Sequence, residues 1–410
     1  MTDARALVLR GVLATAGGEL APGWVALAGD RIAEVGRGPA AAGACVADLG
    51  DRVIAPGFVD VHVHGGGGGQ AAGGDPAAVS EAVRRAARLH AAHGTTRLLA
   101  TTVSDSPARL RATVAGIRRA MDDPDPAGAV VGGVHLEGPW LSPVRRGAHD
   151  PATLRAPDPA ELDALLEACR GALRLMTIAP ELPGALALIA AAAARGIVVS
   201  VGHTDADHAT ARAAFDAGAR HLTHCGNAMR GIDRREPGPI AAALTDERVT
   251  VEVIADGHHA HPGLLALLAA AAPERLVAIT DAIAATGLPD GVHRLGELTV
   301  TVRDGRATLA EEPETLAGSV LTMDRAVAQL IAAGIAPVVA LRAATRTPAA
   351  LLDGGSEGRG GGALVAGHRA DLVVLDGAWA AQATIVGGRV VHDPGGLVAN
   401  AARGPVCAVS

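Results

Sequence analysis

The chain has 410 residues, too many for one small domain but well suited to a single barrel with an appended module. Its formal net charge is −7, from 36 basic and 43 acidic residues, which argues against a non-specific nucleic-acid binder. Aromatic residues make up only 1%, so a stacking platform for single strands is not expected either. The sequence contains no lysine, which excludes a Schiff-base lysine, a P-loop lysine and a carboxylated lysine that bridges two metals.

The cysteines and the apolar stretches indicate the compartment. The four cysteines lie far apart and form no CxxC pair, so we expect no disulfide framework and no thiolate zinc site. The first 13 residues mix charged with apolar side chains and lack the apolar core of a signal peptide. The longest apolar stretches are rich in alanine and reach about half a bilayer span. We therefore expect a soluble, cytoplasmic protein without a membrane partner.

Both ends of the chain have the short apolar runs and glycine punctuation typical of strands. They lie in residues 7–54 and 363–392, and Gly387-Gly388 marks a hairpin turn between two of the later runs. Neither end could bury a core alone. We expect one small β-sandwich domain made from residues 1–54 and 359–410.

Between the two ends, apolar strands alternate with helices rich in alanine, leucine and arginine. Eight strands are predicted, at 58–64, 95–101, 130–137, 173–179, 197–203, 221–224, 249–255 and 276–280. This number of strands over about 225 residues matches a (β/α)8 TIM-type barrel, here residues 55–358. A doubly wound sheet is the alternative, but Gly65–Gly69 lacks the acidic partner of its glycine fingerprint. After strand eight, Asp304-Gly305 predicts a hairpin, and two helices at 324–333 and 337–352 close the barrel.

Residues able to bind a metal or to titrate stand at five of the eight predicted strand ends. They are His62 and His64, Glu137, His203, His224 and Asp281. In a barrel these ends meet at one mouth, where active sites lie. Neutral imidazoles with a carboxylate suit Zn²⁺ or Fe²⁺. The pattern therefore predicts a metal centre rather than five separate buried polar groups.

Seven motifs then follow one another in a specific order. They are His135-Leu136-Glu137-Gly138-Pro139, Gly202-His203-Thr204, Thr223-His224 with Asn227-Ala228-Met229, Arg235-Glu236-Pro237-Gly238, Ala255-Asp256-Gly257 with His259, Thr280-Asp281-Ala282, and Leu316-Ala317-Gly318-Ser319. This series resembles the N-acetylglucosamine-6-phosphate deacetylases of the amidohydrolase superfamily and covers nearly the whole chain. The resemblance implies a dimeric (β/α)8 enzyme of amino-sugar catabolism that removes acetate from N-acetylglucosamine 6-phosphate.

The resemblance also implies roles for single residues. Glu137, His203 and His224 match the ligands of an invariant metal site, and His62 and His64 match a pair that binds a second metal in some members. Asp281 matches the proton-transferring base. The positions that match substrate contacts are Ala148, His149, Asn227, Ala228, Arg235, Asp256, Gly257, His258, His259, Leu316, Ala317 and Gly318.

The chemistry of these residue types agrees with such a reaction. A metal lowers the pKa of a bound water to about 7, and Asp281 could accept its proton and return it to the departing amine. His149 could help the metal to stabilise the oxyanion, and Glu137 could bridge two ions. We expect one or two divalent metals per subunit, zinc first, with iron, cobalt or manganese as alternatives. Arg235 and His259 could grip the phosphate, with Arg235 reaching across a dimer interface.

Other interpretations remain open on the sequence. The substrate could be N-acetylgalactosamine 6-phosphate, which differs from the glucosamine compound at only one hydroxyl. It could also be another cyclic amide or imine, although an enzyme for such a substrate needs no sugar-phosphate clamp. A non-catalytic scaffold should have lost Asp281 or a ligand, and none is lost. Cys225 and Gly226 replace the aromatic or leucine-aromatic pair usual between His224 and Asn227, which leaves open how the face of the sugar packs.

Overall fold

A computed structural model describes residues 7–38, 45–354 and 361–402. The strands are, in chain order, β1 Leu7–Ala14, β2 Leu20–Ala28, β3 Arg31–Gly36, β4 Cys45–Pro56, β5 Phe58–Val63, β6 Gly65–Gly66, β7 Gly69–Gln70, β8 Thr95–Thr101, β9 Val130–Glu137, β10 Leu173–Ile178, β11 Val198–Val201, β12 His221–Leu222, β13 Thr250–Ile254, β14 Leu276–Ile279, β15 Gly291–Leu295, β16 Leu298–Arg303, β17 Arg306–Leu309, β18 Leu372–Leu375, β19 Ala381–Val386 and β20 Arg389–His392. The α-helices are α1 Pro76–Ala92, α2 Pro107–Asp122, α3 Pro159–Ala168, α4 Ala185–Ala194, α5 His208–Ala217, α6 Gly238–Leu244, α7 Pro262–Ala271, α8 Met323–Ala332, α9 Pro337–Ala344, α10 Arg346–Leu352 and α11 Ala399–Ala402.

Eight parallel strands form the barrel, in the order β5, β8, β9, β10, β11, β12, β13 and β14. The first and last strands meet where the Asp281 N–H donates to the carbonyl of His62 at 2.9 Å. The buried carboxyl of Asp60 reinforces this seam, because it accepts from the Thr280 hydroxyl at 2.6 Å. The predicted (β/α)8 barrel is confirmed, and its closure brings the ends of strands one and eight together.

The barrel helices begin where local sequence dictates. α1, α2 and α3 each start on a proline, whose missing N–H costs nothing in the first turn. The preceding Asp75, Ser106 and Asp158 accept a hydrogen bond from a backbone N–H of that turn. The aliphatic residues of these helices pack on the outer face of the barrel strands in one large buried cluster. The packing leaves the inner face of the strands free to carry polar side chains.

Both chain ends contribute to one seven-stranded sheet, in the order β20, β19, β18, β4, β1, β2, β3. β4 supplies the link, because it pairs parallel with β1 and antiparallel with β18. The sheet has its own buried cluster, which includes Leu9, Val25, Ile54 and Leu372. The small β domain built from both termini is therefore confirmed as a single mixed sheet. The exact division at residues 54 and 358 stays a prediction, and residues 355–360 lie outside the described part of the chain.

Three features differ from the sequence predictions. The inserted hairpin around Asp304-Gly305 is a three-stranded sheet, because β15 pairs with β16. The single helix expected over 337–352 is broken at Thr345, whose φ of −131° and ψ of −80° are not helical. Cys45 is disulfide-bonded, against the expectation of reduced thiols, whereas Cys169 and Cys225 are free. Over the described ranges, no helix combines the length and apolar character that a membrane span requires.

Candidate active site

The carboxyl ends of the barrel strands bring the predicted metal ligands around Glu137, the last residue of β9. Its Oε1 lies 3.2 Å from Nε2 of His203, 3.3 Å from Nε2 of His224 and 3.4 Å from Nε2 of His62. Its Oε2 lies 3.1 Å from Nε2 of His64. All five side chains are buried. Four imidazoles from three different strand ends thus converge on one carboxylate.

Asp281, which follows β14, completes the cluster from the side of the histidine pair. Its Oδ1 lies 3.2 Å from Nε2 of His64 and 3.5 Å from Nε2 of His62. Asp281, His203 and His224 have φ values of 52°, 47° and 26°, in the left-handed region that non-glycine residues rarely adopt. Such backbone strain is typical of functional sites, where the surrounding structure holds it in place. The geometry thus aims these three side chains into the mouth of the barrel.

Backbone carbonyls set the orientation of two of the rings. Nδ1 of His203 donates to the carbonyl of Arg145 at 2.9 Å, and Nδ1 of His64 donates to the carbonyl of Thr101 at 3.1 Å. A neutral imidazole that donates through Nδ1 has its lone pair on Nε2. In their neutral form, both rings therefore offer Nε2 to the cluster, the atom through which each would bind a metal in place of a proton.

His149 is arranged in the opposite way. Its Nδ1 accepts a hydrogen bond from the backbone N–H of Ser104 at 3.2 Å, so that Nε2 carries the proton. This Nε2 lies 3.5 Å from Oε2 of Glu137. Burial lowers the pKa of His149 to about 4, so the ring is neutral at pH 7. His149 is consequently a hydrogen-bond donor toward the cluster rather than a metal ligand.

Burial and opposite charges act against each other in the cluster. Burial alone would raise the pKa of Glu137, yet the surrounding imidazoles hold it well below its usual range. The pKa of Asp281 is lowered to about 2, since His62 and His64 outweigh the effect of its burial. In return, Asp281 and Glu137 raise the pKa of His64 to about 9 against its burial. The two carboxylates are therefore ionised at neutral pH and attract positive charge.

These residues fit a divalent metal centre. Nε2 of His62 is fully buried and has no hydrogen-bond partner within the described ranges. Nε2 of His203 and Nε2 of His224 point at each other across only 3.1 Å. Two imidazole nitrogens at this distance need a proton or a cation between or beside them. Glu137 stands between the pair formed by His203 and His224 and the pair formed by His62 and His64, as a bridging ligand would.

A cavity of about 340 Å³ opens above the cluster. It is lined by residues of the metal group and by seven of the predicted substrate contacts, namely Ala148, His149, Asn227, Ala228, His259, Leu316 and Gly318. His259 is held by Asp256, whose carboxylate lies 2.7 Å from Nδ1 of His259. The cavity is large enough for one small polar molecule in contact with Glu137 and Asp281.

Other predicted contacts lie away from this cavity within the described chain. Ala317 is buried beside it, and Asp256 supports His259 from behind. Gly257, His258 and Arg235 are exposed, and none of the three lines the cavity. Their roles in substrate binding stay predictions. Cys225 is buried and does not line the cavity, and burial raises the pKa of its thiol to about 12. Cys225 is therefore a small apolar neighbour of His224.

Sequence reasoning missed several residues of the site, among them Leu295 and Glu252. Leu295 lines the cavity from β15, a strand that was not predicted. Glu252 is fully buried on β13, where Oε2 accepts from the backbone N–H of His224 at 3.0 Å and lies 3.2 Å from Nδ1 of His62. Its Oε1 lies 2.8 Å from Nε2 of His221. The signal was present in the sequence, since an acidic residue stands alone between Val251 and Val253 in a buried strand.

Comparison with known proteins places this geometry in a family. The sequence matches the amidohydrolase family over residues 53–392. It is 40% identical over 354 residues to an N-acetylglucosamine-6-phosphate deacetylase from Homo sapiens, with 84% of each chain covered. It is 38% identical over 325 residues to an N-acetylgalactosamine-6-phosphate deacetylase from Escherichia coli O157:H7, covering 79% of this chain and 84% of the relative.

A solved structure shares the whole architecture. It is a variant of N-acetyl-D-glucosamine-6-phosphate deacetylase from Mycobacterium smegmatis in complex with N-acetyl-D-glucosamine-6-phosphate. The two proteins are 44% identical, the TM-score is 0.88, and the match covers 95% of this chain and 100% of the other. The barrel and the domain made from both termini agree with this likeness. The chain belongs to the amidohydrolase family, among the relatives of the N-acetylglucosamine-6-phosphate deacetylases.

Proposed function

We propose that this protein hydrolyses the acetamide of N-acetyl-D-glucosamine 6-phosphate, which yields D-glucosamine 6-phosphate and acetate. The observation that carries the proposal is the convergence of four imidazoles on Glu137, beside Asp281, at the floor of the barrel cavity. Membership of the family and the names of its relatives support the same reaction. We place this activity in amino-sugar catabolism and the protein in the cytoplasm.

The metal would be held by two sets of side chains that share Glu137. His203 and His224 form the first set with Glu137. His62 and His64 form the second set, with Asp281 nearby. A divalent cation bound here would supply Lewis acidity, polarising the amide carbonyl and lowering the pKa of water to about 7. We infer room for two ions per subunit. Zinc is our first assignment for this nitrogen and oxygen donor set, ahead of iron, cobalt and manganese.

Asp281 is the proposed proton carrier. Its carboxylate lines the cavity and is ionised at neutral pH, because the nearby imidazoles lower its pKa to about 2. It would accept a proton from the attacking water as the new C–O bond forms at the acetyl carbon. When the C–N bond breaks, it would return that proton to the nitrogen of the amino sugar. Acetate and the free amine then leave the cavity.

His149 is the proposed donor to the developing oxyanion. Its Nε2–H faces the cavity, since Nδ1 is engaged by the N–H of Ser104. The ring stays neutral because burial lowers its pKa to about 4, so it can donate a hydrogen bond without losing a proton. A donor fixed before the reaction stabilises the charge that appears on the carbonyl oxygen in the transition state.

The phosphate would lie at the open end of the cavity, near Asn227, Ala228 and His259. Because Arg235 is exposed and lies outside the cavity, we propose that it serves the neighbouring subunit of a homodimer. Its guanidinium would grip the phosphate through two parallel hydrogen bonds. The partners of the chain are then a second copy and one small amino-sugar phosphate.

The test is acetate release from a panel of N-acetylated sugars by the metal-replete protein. We expect the highest kcat/KM with N-acetylglucosamine 6-phosphate and a much lower value without the phosphate. N-acetylgalactosamine 6-phosphate belongs in the panel because one relative is named for it. No acetate release from any of these compounds would overturn the proposal, whereas preference for the galactosamine compound would correct only the sugar.

A further inference from the structure

Glu252 lies behind the metal cluster and is not among the residues that line the cavity. It reaches the cavity lining through the backbone of His224. It stands on β13 with no exposure to solvent. Its two carboxylate oxygens meet three nitrogens, on His62, His221 and the backbone of His224. A buried carboxylate is costly unless such donors compensate it, so all three contacts are needed to keep it charged.

The contact with His62 decides which nitrogen this ring offers to the cavity side. A carboxylate accepts only, so the proton of His62 must stand on Nδ1, 3.2 Å from Oε2 of Glu252. When His62 is neutral, as a metal ligand must be, the lone pair then falls on Nε2, the buried nitrogen that has no hydrogen-bond partner in the described chain and faces Glu137 and Asp281. A carboxylate behind a histidine in this way also makes the ring a stronger ligand.

The contact with His224 joins the two halves of the metal centre. The same Oε2 that faces His62 accepts the backbone N–H of His224, at the strained residue whose φ is 26°. One oxygen atom thus ties a residue of strand one to a residue that follows strand six. Resting on the metal centre of the proposed function, we propose that Glu252 is a positioning residue that fixes His62 as a metal ligand through Nε2 and holds it in register with His224.

The Glu252→Gln variant separates the charge from the shape. The amide oxygen of the introduced side chain could still accept from His62 and His224, while its NH₂ group faced Nε2 of His221. His221 could then donate through Nδ1 to the hydroxyl of Thr250, which lies 2.6 Å away. No buried group loses its partner in this arrangement, so this variant should fold. Glu252→Asp keeps the charge but is one methylene too short to reach all three nitrogens.

The experiment titrates Co²⁺ into the full chain after chelator treatment, with visible absorption and calorimetry as readouts that need no substrate. We expect two classes of site in the wild-type protein. Both Glu252→Gln and Glu252→Asp should weaken the class that contains His62 by about 10- to 100-fold, a usual cost of losing a partner behind a metal ligand. The class formed by Glu137, His203 and His224 should lose clearly less affinity, because Glu252 holds only the backbone of His224 and not its ring.

Ser200→Ala is the matched control. Ser200 is also fully buried inside the barrel, and its hydroxyl bonds that of Thr223 at 2.5 Å without touching a metal ligand. It should leave both classes unchanged. The inference is wrong if Glu252→Gln keeps both affinities, if both classes weaken equally, or if Ser200→Ala weakens the His62 class as much.

Acetate release by the same preparations separates the two proposals. A wild-type protein that is active but binds a single Co²⁺ would overturn the role of Glu252 and leave the proposed function standing. If the wild-type protein releases no acetate but the Glu252 variants still lose the His62 class selectively, the role of Glu252 is supported and the proposed function is overturned.

Discussion

The cluster around Glu137 and the loop at residues 230–237, which carries the predicted phosphate contact Arg235, differ in how completely one chain builds them. Every ligand of the cluster is buried, and most of its rings are also held from behind by a carbonyl or a carboxylate. In the loop, Gly231 to Arg235 are all exposed, and the Arg235 side chain makes no ion pair with any described residue. One chain therefore supplies the whole cluster, whereas the proposed recognition of the phosphate by Arg235 calls for a second chain.

Removal of the metal tests the cluster half of this comparison and has the largest expected effect. Chelation should reduce acetate release to background, because ionised Asp281 and neutral His149 alone supply no Lewis acid. Added Zn²⁺ or Co²⁺ should restore it. Elemental analysis of the replete protein should give more than one ion per chain, and a clean ratio of one would mean that His62 and His64 do not bind metal.

Asp281→Asn should lower kcat by about 10²- to 10⁴-fold, the usual contribution of general acid–base catalysis. The amide keeps the size of the side chain but cannot accept the proton of the attacking water. Metal content, measured on the same sample, should persist because Glu137, His203 and His224 are untouched. Near-normal turnover in this variant would show that another group moves the proton.

Arg235→Ala tests the loop half of the comparison. We expect kcat/KM for the 6-phosphate substrate to fall, because a charge-assisted contact to the phosphate is lost. The loss of transition-state stabilisation should be roughly 2–4 kcal/mol. The kcat/KM for unphosphorylated N-acetylglucosamine should hardly change. Arg234→Ala, one residue earlier on the same exposed loop, is the matched control and should change neither rate. An equal loss of kcat/KM for both substrates would show that Arg235 has a structural role and does not contact the phosphate.

Ile232→Ser should have the smallest effect on the fold and a visible one on assembly. Ile232 is 52% exposed in the single chain, so its replacement should change the free energy of unfolding of the subunit by less than about 0.5 kcal/mol. If the loop lies between subunits, sedimentation should show a shift from dimer toward monomer. Assembly that is unaffected at all concentrations would place the interface elsewhere.

Much of the barrel was predictable because its signals are local. Alternation, apolar runs and the proline that opens α1, α2 and α3 each act within a few residues. Strands β8 and β9 have the predicted bounds. The short helix α6 and strand β15 were missed, because their sequences are rich in glycine, alanine and polar residues and depend on contacts with the rest of the fold.

The sequence by itself determined which groups can bind a metal and that they follow strands whose ends meet, since residue type and strand order are properties of the chain. Only the tertiary structure decided which nitrogen each histidine offers. That choice depends on distant partners: the carbonyl of Thr101 for His64, the N–H of Ser104 for His149 and the carboxylate of Glu252 for His62. Glu252 stands 190 residues from His62 along the chain, and closure of the barrel alone brings them within 3.2 Å.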